Sequence, residues 1–159
     1  MIATAEEVLY RPATLRDVSA MAQLRSEHWG HAPNWEHRIA SYLSGELNPR
    51  QALAQRVAIV AEQEDEIIGF IAGHLTRRYH CDGELQWINV SSAQRRQGVA
   101  TEMLRELADW FTAYNAHKIC VDAQPRNLDA RAFYASHGAE PLNNHWMVFP
   151  DIASALSAP

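Results

Sequence analysis

The fold of this chain is decided by residues 90–100, which read V-S-S-A-Q-R-R-Q-G-V-A. The strand predicted before this stretch ends at Val90, and an amphipathic helix is predicted to begin at Gly98. The first N–H groups of a helix have no intrahelical partner, and the helix dipole adds about half a positive charge there. Arg95 and Arg96 add positive charge to the same loop. The stretch therefore predicts an anion site suited to a pyrophosphate.

This loop differs from the two best-known phosphate-binding loops. It contains neither the pattern G-x-x-x-x-G-K-[ST] nor the pattern G-x-G-x-x-G. The small residues Gly98 and Ala100 let a ligand approach the backbone closely. The alternative is a glycine that only begins a helix, and the loop by itself leaves both open.

Strands and helices are predicted in alternation on both sides of the loop. The predicted strands lie at 8–14, 56–63, 66–75, 84–91, 118–124 and 140–149, and the predicted helices at 15–29, 35–47, 98–115 and 128–137. The acidic pair Glu64-Asp65 is expected to join two of these strands as a hairpin. This order predicts an α/β (α+β) fold, a mixed central sheet with helices packed on it.

Three details of the helices and the tail are predicted from single residues. Asn34 is the expected N-cap of the second helix, and Gly45 lies near its expected end. The residues beyond Pro150 are expected to fray. The helix at 98–115 carries an apolar stripe formed by Met103, Leu104, Leu107, Trp110, Phe111 and Tyr114.

Length and composition predict a single domain over residues 1–159, with a core of about residues 8–149. The chain is 47% hydrophobic and 21% charged, as ordinary globular proteins are. Its 14 basic and 19 acidic residues give a net charge of −5. Non-specific nucleic-acid binding needs clustered positive charge, so nucleic acid is not expected as a partner. An acidic surface favours a cationic partner.

The cysteines and the N-terminus bear on the compartment. Cys81 and Cys120 are too few for a disulfide scaffold and predict reduced, inert thiols. The first residues carry acids where a signal peptide carries bases. No apolar run reaches the roughly 20 residues that a membrane span needs. The expectation is a cytoplasmic protein with no membrane partner.

A second motif, residues 127–138, reads N-L-D-A-R-A-F-Y-A-S-H-G. Together with the loop it resembles the GNAT superfamily of acyl-CoA-dependent N-acetyltransferases. The family's loop pattern, Gln/Arg-x-x-Gly-x-Gly/Ala, is met by Arg95, Gly98 and Ala100. The opening Y-R-P-A-T-L-R-D is also similar, so the resemblance covers about residues 8–149. The family's later pattern, N-x-x-A-x-x-F-Y-x-x-x-G, is met by Asn127, Ala130, Phe133, Tyr134 and Gly138.

The resemblance implies how acetyl-CoA, the acyl donor, is held. The sheet is expected to splay between two central strands, with CoA in the resulting V. The strand edge at Ile88 and Val90 is expected to pair with the pantetheine arm, and the Val90 N–H to serve as the oxyanion donor. Contacts to the pyrophosphate are implied for Arg95, Arg96, Gln97, Gly98, Val99, Ala100 and Thr101.

Two residues of the second motif carry implied roles at the cofactor. Tyr134 matches the family's general acid, which contacts CoA and protonates its departing thiolate. The alternative is a core tyrosine on the helix face shared with Ala130 and Phe133. Asn127 matches a position that hydrogen-bonds the pantetheine arm. It also fits a plain N-cap, and the two roles are compatible.

The resemblance does not define the general base. Many family members carry a Glu where this chain has Gln86, and a Gln side chain cannot accept a proton from an ammonium group. Glu84 is the candidate base, acting through a water, and a solvated strand-end charge is its alternative. His80 and His74 are further candidates because the intrinsic pKa of histidine lies near neutrality.

Aromatic and histidine side chains are candidates for the acceptor pocket, although core packing is an alternative for each of them. No metal is expected, because the one cluster of ligand-type residues, Glu27, His28, His31, Glu36 and His37, lacks tight zinc spacing. The candidates for substrate binding are Trp29, His31, Trp35, Trp87 and His145, with Trp146 beside them.

The sequence thus predicts an acetyl-CoA-dependent N-acetyltransferase that acts on a primary amine by direct attack in a ternary complex. One alternative is a non-catalytic acyl-CoA-binding module. Another is a protein acetyltransferase that acts on a Lys or an N-terminal amine. The acceptor, a small-molecule amine or a protein amine, stays open, as do the acyl-chain preference and the formation of a homodimer.

Overall fold

The computed structural model describes residues 7–27, 29–94 and 98–156. Its strands are β1 (Leu9–Pro12), β2 (Ala52–Gln63), β3 (Glu66–Thr76), β4 (Gly83–Val90), β5 (Ile119–Asp122), β6 (Glu140–Pro141) and β7 (Trp146–Phe149). They form one sheet in the order β1-β2-β3-β4-β5-β7-β6. Every neighbouring pair is antiparallel except β4 and β5, which are parallel.

Four α-helices pack on this sheet: α1 (Val18–Ser26), α2 (Ala32–Ser44), α3 (Val99–Ala113) and α4 (Leu128–Ser136). Helices α1 and α2 form a hydrophobic core with one face of the sheet, and α3 forms a second core with the other face. This arrangement confirms the predicted mixed sheet with flanking helices. Among the helices that the structure describes, none combines the length and the apolar character needed to cross a membrane.

The hairpin of β2 and β3 turns at the predicted acidic pair. Glu64 and Asp65 have φ angles of 52° and 63°. Positive φ at both central residues is the signature of a type I′ turn, whose twist matches that of the flanking strands. The hairpin is confirmed, and β2 begins at Ala52, earlier than the sequence predicted.

Helix α2 begins and ends three residues earlier than predicted. Its N-cap is His31 and not Asn34, and Pro33 lies in its first turn. Proline is tolerated there because the first N–H groups of a helix have no intrahelical partner. The helix ends at Ser44 because Gly45 adopts the left-handed conformation, with φ of 86°.

The end of the chain differs from the prediction in two ways. The strand predicted at 140–149 is a short hairpin, because the Asn143 side chain accepts hydrogen bonds from the N–H groups of His145 and Trp146 and closes a turn. The tail does not fray over the described residues. A 3-10 helix runs from Ile152 to Leu156, with Ile152 and Ala155 fully buried.

The stripe predicted on α3 forms the centre of the larger core. Its members Met103, Leu104, Leu107 and Phe111 are fully buried. Gly83 admits this close packing, since a Cβ there would collide with Phe111 and Ile119. Tyr114 departs from the prediction and is 49% exposed, because α3 ends one residue before it.

The sheet divides between its two central strands. β4 pairs with β5 only from Gly83 to Leu85. On its other side, β4 stays paired with β3, but Leu85 is opposite Gly73 and Trp87 is opposite Ala72, so Gln86 is an extra, bulged residue. A bulge bends its strand. β4 therefore leaves β5 at this point, and the predicted splay between two central strands is confirmed.

An ion pair anchors the first strand to the turn before α1. The Arg11 guanidinium donates to both carboxylate oxygens of Asp17, at 2.8 and 2.9 Å. The same carboxylate accepts the N–H of Thr14 at 2.8 Å. These hydrogen bonds, with Arg11 the larger cause, lower the pKa of Asp17 to about 2.

We predict that Asp17→Asn lowers the free energy of unfolding by about 1.5–3 kcal/mol near neutral pH, because hydrogen bonds to charged groups are lost. A lowered folded-state pKa means that the stabilisation is present above the unfolded pKa of about 3.9 and is lost as the pH falls through the folded value. Urea unfolding at several pH values measures the difference. Asp109→Asn, at an exposed position of α3, is the control. A difference that stays constant down to about pH 3 would contradict this role.

Candidate active site

The edge of β4 that faces away from β3 is open. The Ser91 N–H donates to the Ile68 carbonyl at 2.7 Å. Because bonded partners alternate along an antiparallel ladder, the N–H groups of Val90 and Ile88 point to the opposite edge. No described strand pairs with them there, since β5 follows β4 only as far as Leu85. This edge offers unpaired backbone donors and acceptors to a ligand.

A cavity of about 820 Å³ lies along this open edge. Its walls are the end of β4, residues 98–101 at the start of α3, and the face of α4 that carries Ala130, Phe133 and Tyr134. Arg126 contributes a cationic side chain to the rim. The volume falls within the range of ligand pockets.

The start of α3 is shaped for a close ligand approach. Gly98 is its N-cap, with a left-handed φ of 80°, and nothing lies within 4 Å of the position that a Cβ would take. Gly98, Val99, Ala100 and Thr101 all line the cavity. The other loop residues named from the sequence, Arg95, Arg96 and Gln97, lie outside the described residues. The observed features fit a nucleotide cofactor with an extended arm.

Tyr134 lines this cavity from α4. The residue is only 5% exposed, and its ring contacts Phe133 and Phe149. Its hydroxyl has no hydrogen-bond partner among the described residues. Burial raises the pKa of Tyr134, while the positive charge of Arg25 acts in the opposite direction. The phenol therefore keeps its proton at neutral pH.

Asn127 caps α4, as one of its two predicted roles requires. Its side-chain oxygen accepts the Ala130 N–H at 3.2 Å. The residue also lines the cavity. Its side-chain amide N–H groups donate to no described residue, so the capping leaves them available to a ligand.

A second cavity, of about 420 Å³, continues from the first. Both are lined by Trp29, Ile88, Gln124, Asn127, Ala130 and Tyr134. The two cavities therefore meet at the Tyr134 side chain and the open strand edge. A ligand in one can contact a ligand in the other at this point.

Two arginines enter the second cavity around one indole. The guanidinium carbon of Arg25 lies 4.6 Å from the ring centre of Trp35, and that of Arg38 lies 4.3 Å from it. The Trp35 indole N–H donates to the Trp29 carbonyl, which fixes the ring. Burial and the charge of Arg38 lower the pKa of Arg25 to about 10.

Glu84 is buried in the wall of this cavity, so it is not a solvated strand-end charge. Its carboxylate lies 3.3 Å from Arg78 Nε and 3.6 Å from His74 Nε2. The other ring nitrogen of His74 is 2.8 Å from the Tyr42 hydroxyl. Gln86 lines the same cavity, and its side-chain oxygen is buried without a hydrogen-bond partner.

Asp122 is a candidate that sequence reasoning missed. It ends β5 and lines the second cavity together with Tyr134. The residue is exposed at the end of the strand. Desolvation of its carboxyl raises the pKa, His145 and Arg78 oppose this shift, and Glu84 adds to it. No described residue forms a hydrogen bond or an ion pair with its side chain. The only sequence signal was an acid at the end of a strand that precedes the second motif.

The remaining predicted residues divide between the cavity and other places. Trp35, Trp87 and Trp146 line the second cavity, and Trp29 lines both. The histidines His31, His145, His74 and His80 line neither cavity. Cys81 and Cys120 are buried. No described group of three or more His, Cys, Asp or Glu side chains is placed to hold a metal. His28, of the cluster that the sequence analysis considered as metal ligands, lies outside the described part.

Solved structures share this fold. A GNAT-family acetyltransferase from Desulfovibrio desulfuricans superposes with a TM-score of 0.74 at 13% identity, over 92% of this chain and 99% of that one. PaiA N-acetyltransferase from Thermoplasma acidophilum, in complex with coenzyme A, gives 0.69 at 12% identity, over 89% and 97%. Aminoglycoside 6'-acetyltransferase type Ii gives 0.68 at 18% identity, over 91% and 97%. At these identities the likeness shows the fold.

The sequence supplies the family independently of these superpositions. No curated protein matches the chain. The family model described as "Acetyltransferase (GNAT) family" matches residues 19–139, which include the open strand edge, the start of α3 and the helix of Tyr134. The chain belongs to the GNAT family of acetyltransferases.

Proposed function

We propose that this protein transfers the acetyl group of acetyl-CoA to a primary amine by direct attack in a ternary complex. The observation that carries the proposal is the meeting of two cavities at one point. Ile88 of the unpaired β4 edge and Tyr134 line both cavities at that point. The larger cavity suits the donor, and the smaller one suits the acceptor amine.

The open edge of β4 supports a specific mode of binding. An extended amide-containing arm can add to a strand edge and satisfy its backbone groups. In that arrangement Ile88 pairs with the pantetheine arm. The Val90 N–H then donates to the thioester carbonyl oxygen. A fixed donor there stabilises the negative charge that develops as the amine nitrogen bonds to the acetyl carbon.

Tyr134 is proposed to protonate the leaving group. When the bond between carbon and sulfur breaks, the CoA sulfur takes the electron pair and needs a proton. The phenol is protonated and has no competing partner. The positive charge of Arg25 favours the phenolate that remains after the transfer. The Tyr134 phenol thus keeps its proton until the CoA thiolate forms.

Two carboxylates in the second cavity are candidates for removing the proton of the attacking amine. Glu84 is held by Arg78 and sits beside His74. Asp122 has no such partner, and its raised pKa makes it a stronger base than an ordinary aspartate. We propose Asp122 as the proton acceptor and Glu84 as an alternative acceptor that acts through a water. A general base is more effective when its pKa lies closer to the pH of the reaction.

Acetyl-CoA binding is tested by thermal unfolding. A ligand at 100 times its Kd adds about 2.7 kcal/mol of stability, which corresponds to roughly 5–10 °C for a chain of this size. We expect that shift for the unmodified protein. Gly98→Glu should abolish it by placing a carboxylate in the open space at the start of α3. Gly45→Glu is the matched control, because Gly45 has the same left-handed φ and the same open space but lines neither cavity. A folded Gly98→Glu protein with an unchanged shift would place the site elsewhere.

Release of free thiol from acetyl-CoA across a panel of amines tests the reaction and the role of Tyr134. Tyr134→Phe should lower kcat by about 10²-fold or more, because a general acid is removed, and should change the KM for acetyl-CoA little. Tyr114→Phe, at an exposed position, is the control. Equal turnover by Tyr134→Phe and the unmodified protein would remove its role as an acid.

The base is tested by the pH dependence of kcat/KM. Asp122→Asn should lower kcat/KM near neutral pH by about 10²- to 10⁴-fold. The unmodified enzyme should lose activity as the pH falls, with a midpoint above the ordinary aspartate value of about 3.9. Glu84→Gln is measured beside it, with Asp109→Asn as the control. A larger loss in Glu84→Gln than in Asp122→Asn would assign the base to Glu84.

A further inference from the structure

The charges of the second cavity are not those of the whole chain. The chain has a net charge of −5. Among the residues that line the second cavity, however, there are three arginines and only two carboxylates. Arg78 is paired with Glu84. The second cavity therefore carries two further cations, Arg25 and Arg38, although the whole chain is acidic.

These two cations have no anionic partner among the described residues. No described carboxylate forms an ion pair with either guanidinium. Arg25 donates to the Asn89 side chain at 2.9 Å, and its Nε is buried with no hydrogen-bond partner. Unpaired buried donors of a charged group cost free energy. An anion in the cavity would balance the charge of Arg25, and Arg38, exposed on the same indole, adds a second positive charge.

The two signs of charge are also separated within the cavity. The unpaired arginines project from α1 and α2, and the carboxylates of Glu84 and Asp122 come from β4 and β5. An ammonium group is attracted to the carboxylates, and an oxyanion is attracted to the guanidiniums. Arg25 and Arg38 also stack on Trp35, which holds the planar groups in place for a carboxylate.

Resting on the proposed function, we infer that the acceptor is a small amino acid, an amine that also carries a carboxylate, bound by Arg25 and Arg38. Its carboxylate accepts hydrogen bonds from the two guanidiniums. Its amine faces the junction of the two cavities, where Tyr134 and the open strand edge lie. A cationic polyamine, which the net charge of the chain alone would favour, is repelled by the same arginines.

The test compares amino acids with their carboxamides, which have nearly the same shape and lack the negative charge. The panel contains glycine, β-alanine, γ-aminobutyrate and the common α-amino acids. Thiol release from acetyl-CoA is measured for each pair. We expect kcat/KM for the best amino acid to exceed that for its carboxamide by about 10- to 100-fold, since a charge-assisted hydrogen bond is lost in the carboxamide. 2-Aminoethylphosphonate, measured beside β-alanine, distinguishes a phosphonate from a carboxylate as the preferred anion.

Arg38→Gln is the deciding variant, because Arg38 is exposed and its replacement leaves Arg25 beside Tyr134 in place. It should reduce the preference for the amino acid over the carboxamide to within a few-fold. Arg38→Glu should reverse the preference. Arg16→Gln, at an exposed position that lines neither cavity, should leave it unchanged.

Calorimetric titration of the same pairs into the protein saturated with CoA gives a readout that needs no turnover. Tighter binding of the amino acid, lost in Arg38→Gln, supports the inference. Equal affinity for amino acid and carboxamide throughout the panel, or a stronger preference for phosphonate, overturns it. Turnover of neutral amines with no preference for a carboxylate overturns the inference and leaves the proposed function standing. Failure of the protein to bind CoA or release thiol with any amine would count against the proposed function itself.

Discussion

The separation of β4 from β5 after Leu85 is the constraint on which the site depends. Backbone N–H and C=O groups that leave water need partners, and a strand edge inside a sheet normally finds them in the next strand. Here the bulge at Gln86 turns β4 away while β3 keeps its other edge paired. The unsatisfied edge at Ile88 and Val90 is thus created by the register of the sheet.

The packing of α3 keeps this opening from closing. Its buried stripe fills the space between the sheet and the 3-10 helix at Ile152–Leu156, and Gly83 lets it approach where the two central strands still pair. Near the other end of the helix, Val99 and Met103 are buried in the same core, which holds the helix start at Gly98 beside the open edge. The same core thus positions the backbone N–H groups of α3 and the edge of β4 on one cavity.

The sequence predicted local features well because they depend on neighbouring residues. The hairpin turn at Glu64-Asp65 and the cap at Asn127 follow from side chains a few positions away. The short hairpin closed by Asn143 was missed, since its turn lies inside a stretch that the sequence analysis treated as one strand. The four tryptophans named from the sequence line the second cavity, but its arginines were missed for a different reason. Arg25 and Arg38 lie on separate helices, and only tertiary packing places both on Trp35.

Burial at the junction of the cavities has linked effects on Tyr134 and Arg25. Burial raises the pKa of Tyr134 and so keeps a proton on the phenol. Burial also lowers the pKa of Arg25, which means that its charge is poorly compensated there. An anionic acceptor would stabilise the positive charge of Arg25. It would also partly neutralise this charge, so that Arg25 would favour the Tyr134 phenolate less strongly. In the proposed complex, the positive charge of Arg38 would offset part of the substrate's negative charge, so that Arg25 would still favour the Tyr134 phenolate. The two arginines would then serve both the recognition of the acceptor and the proton donation by Tyr134.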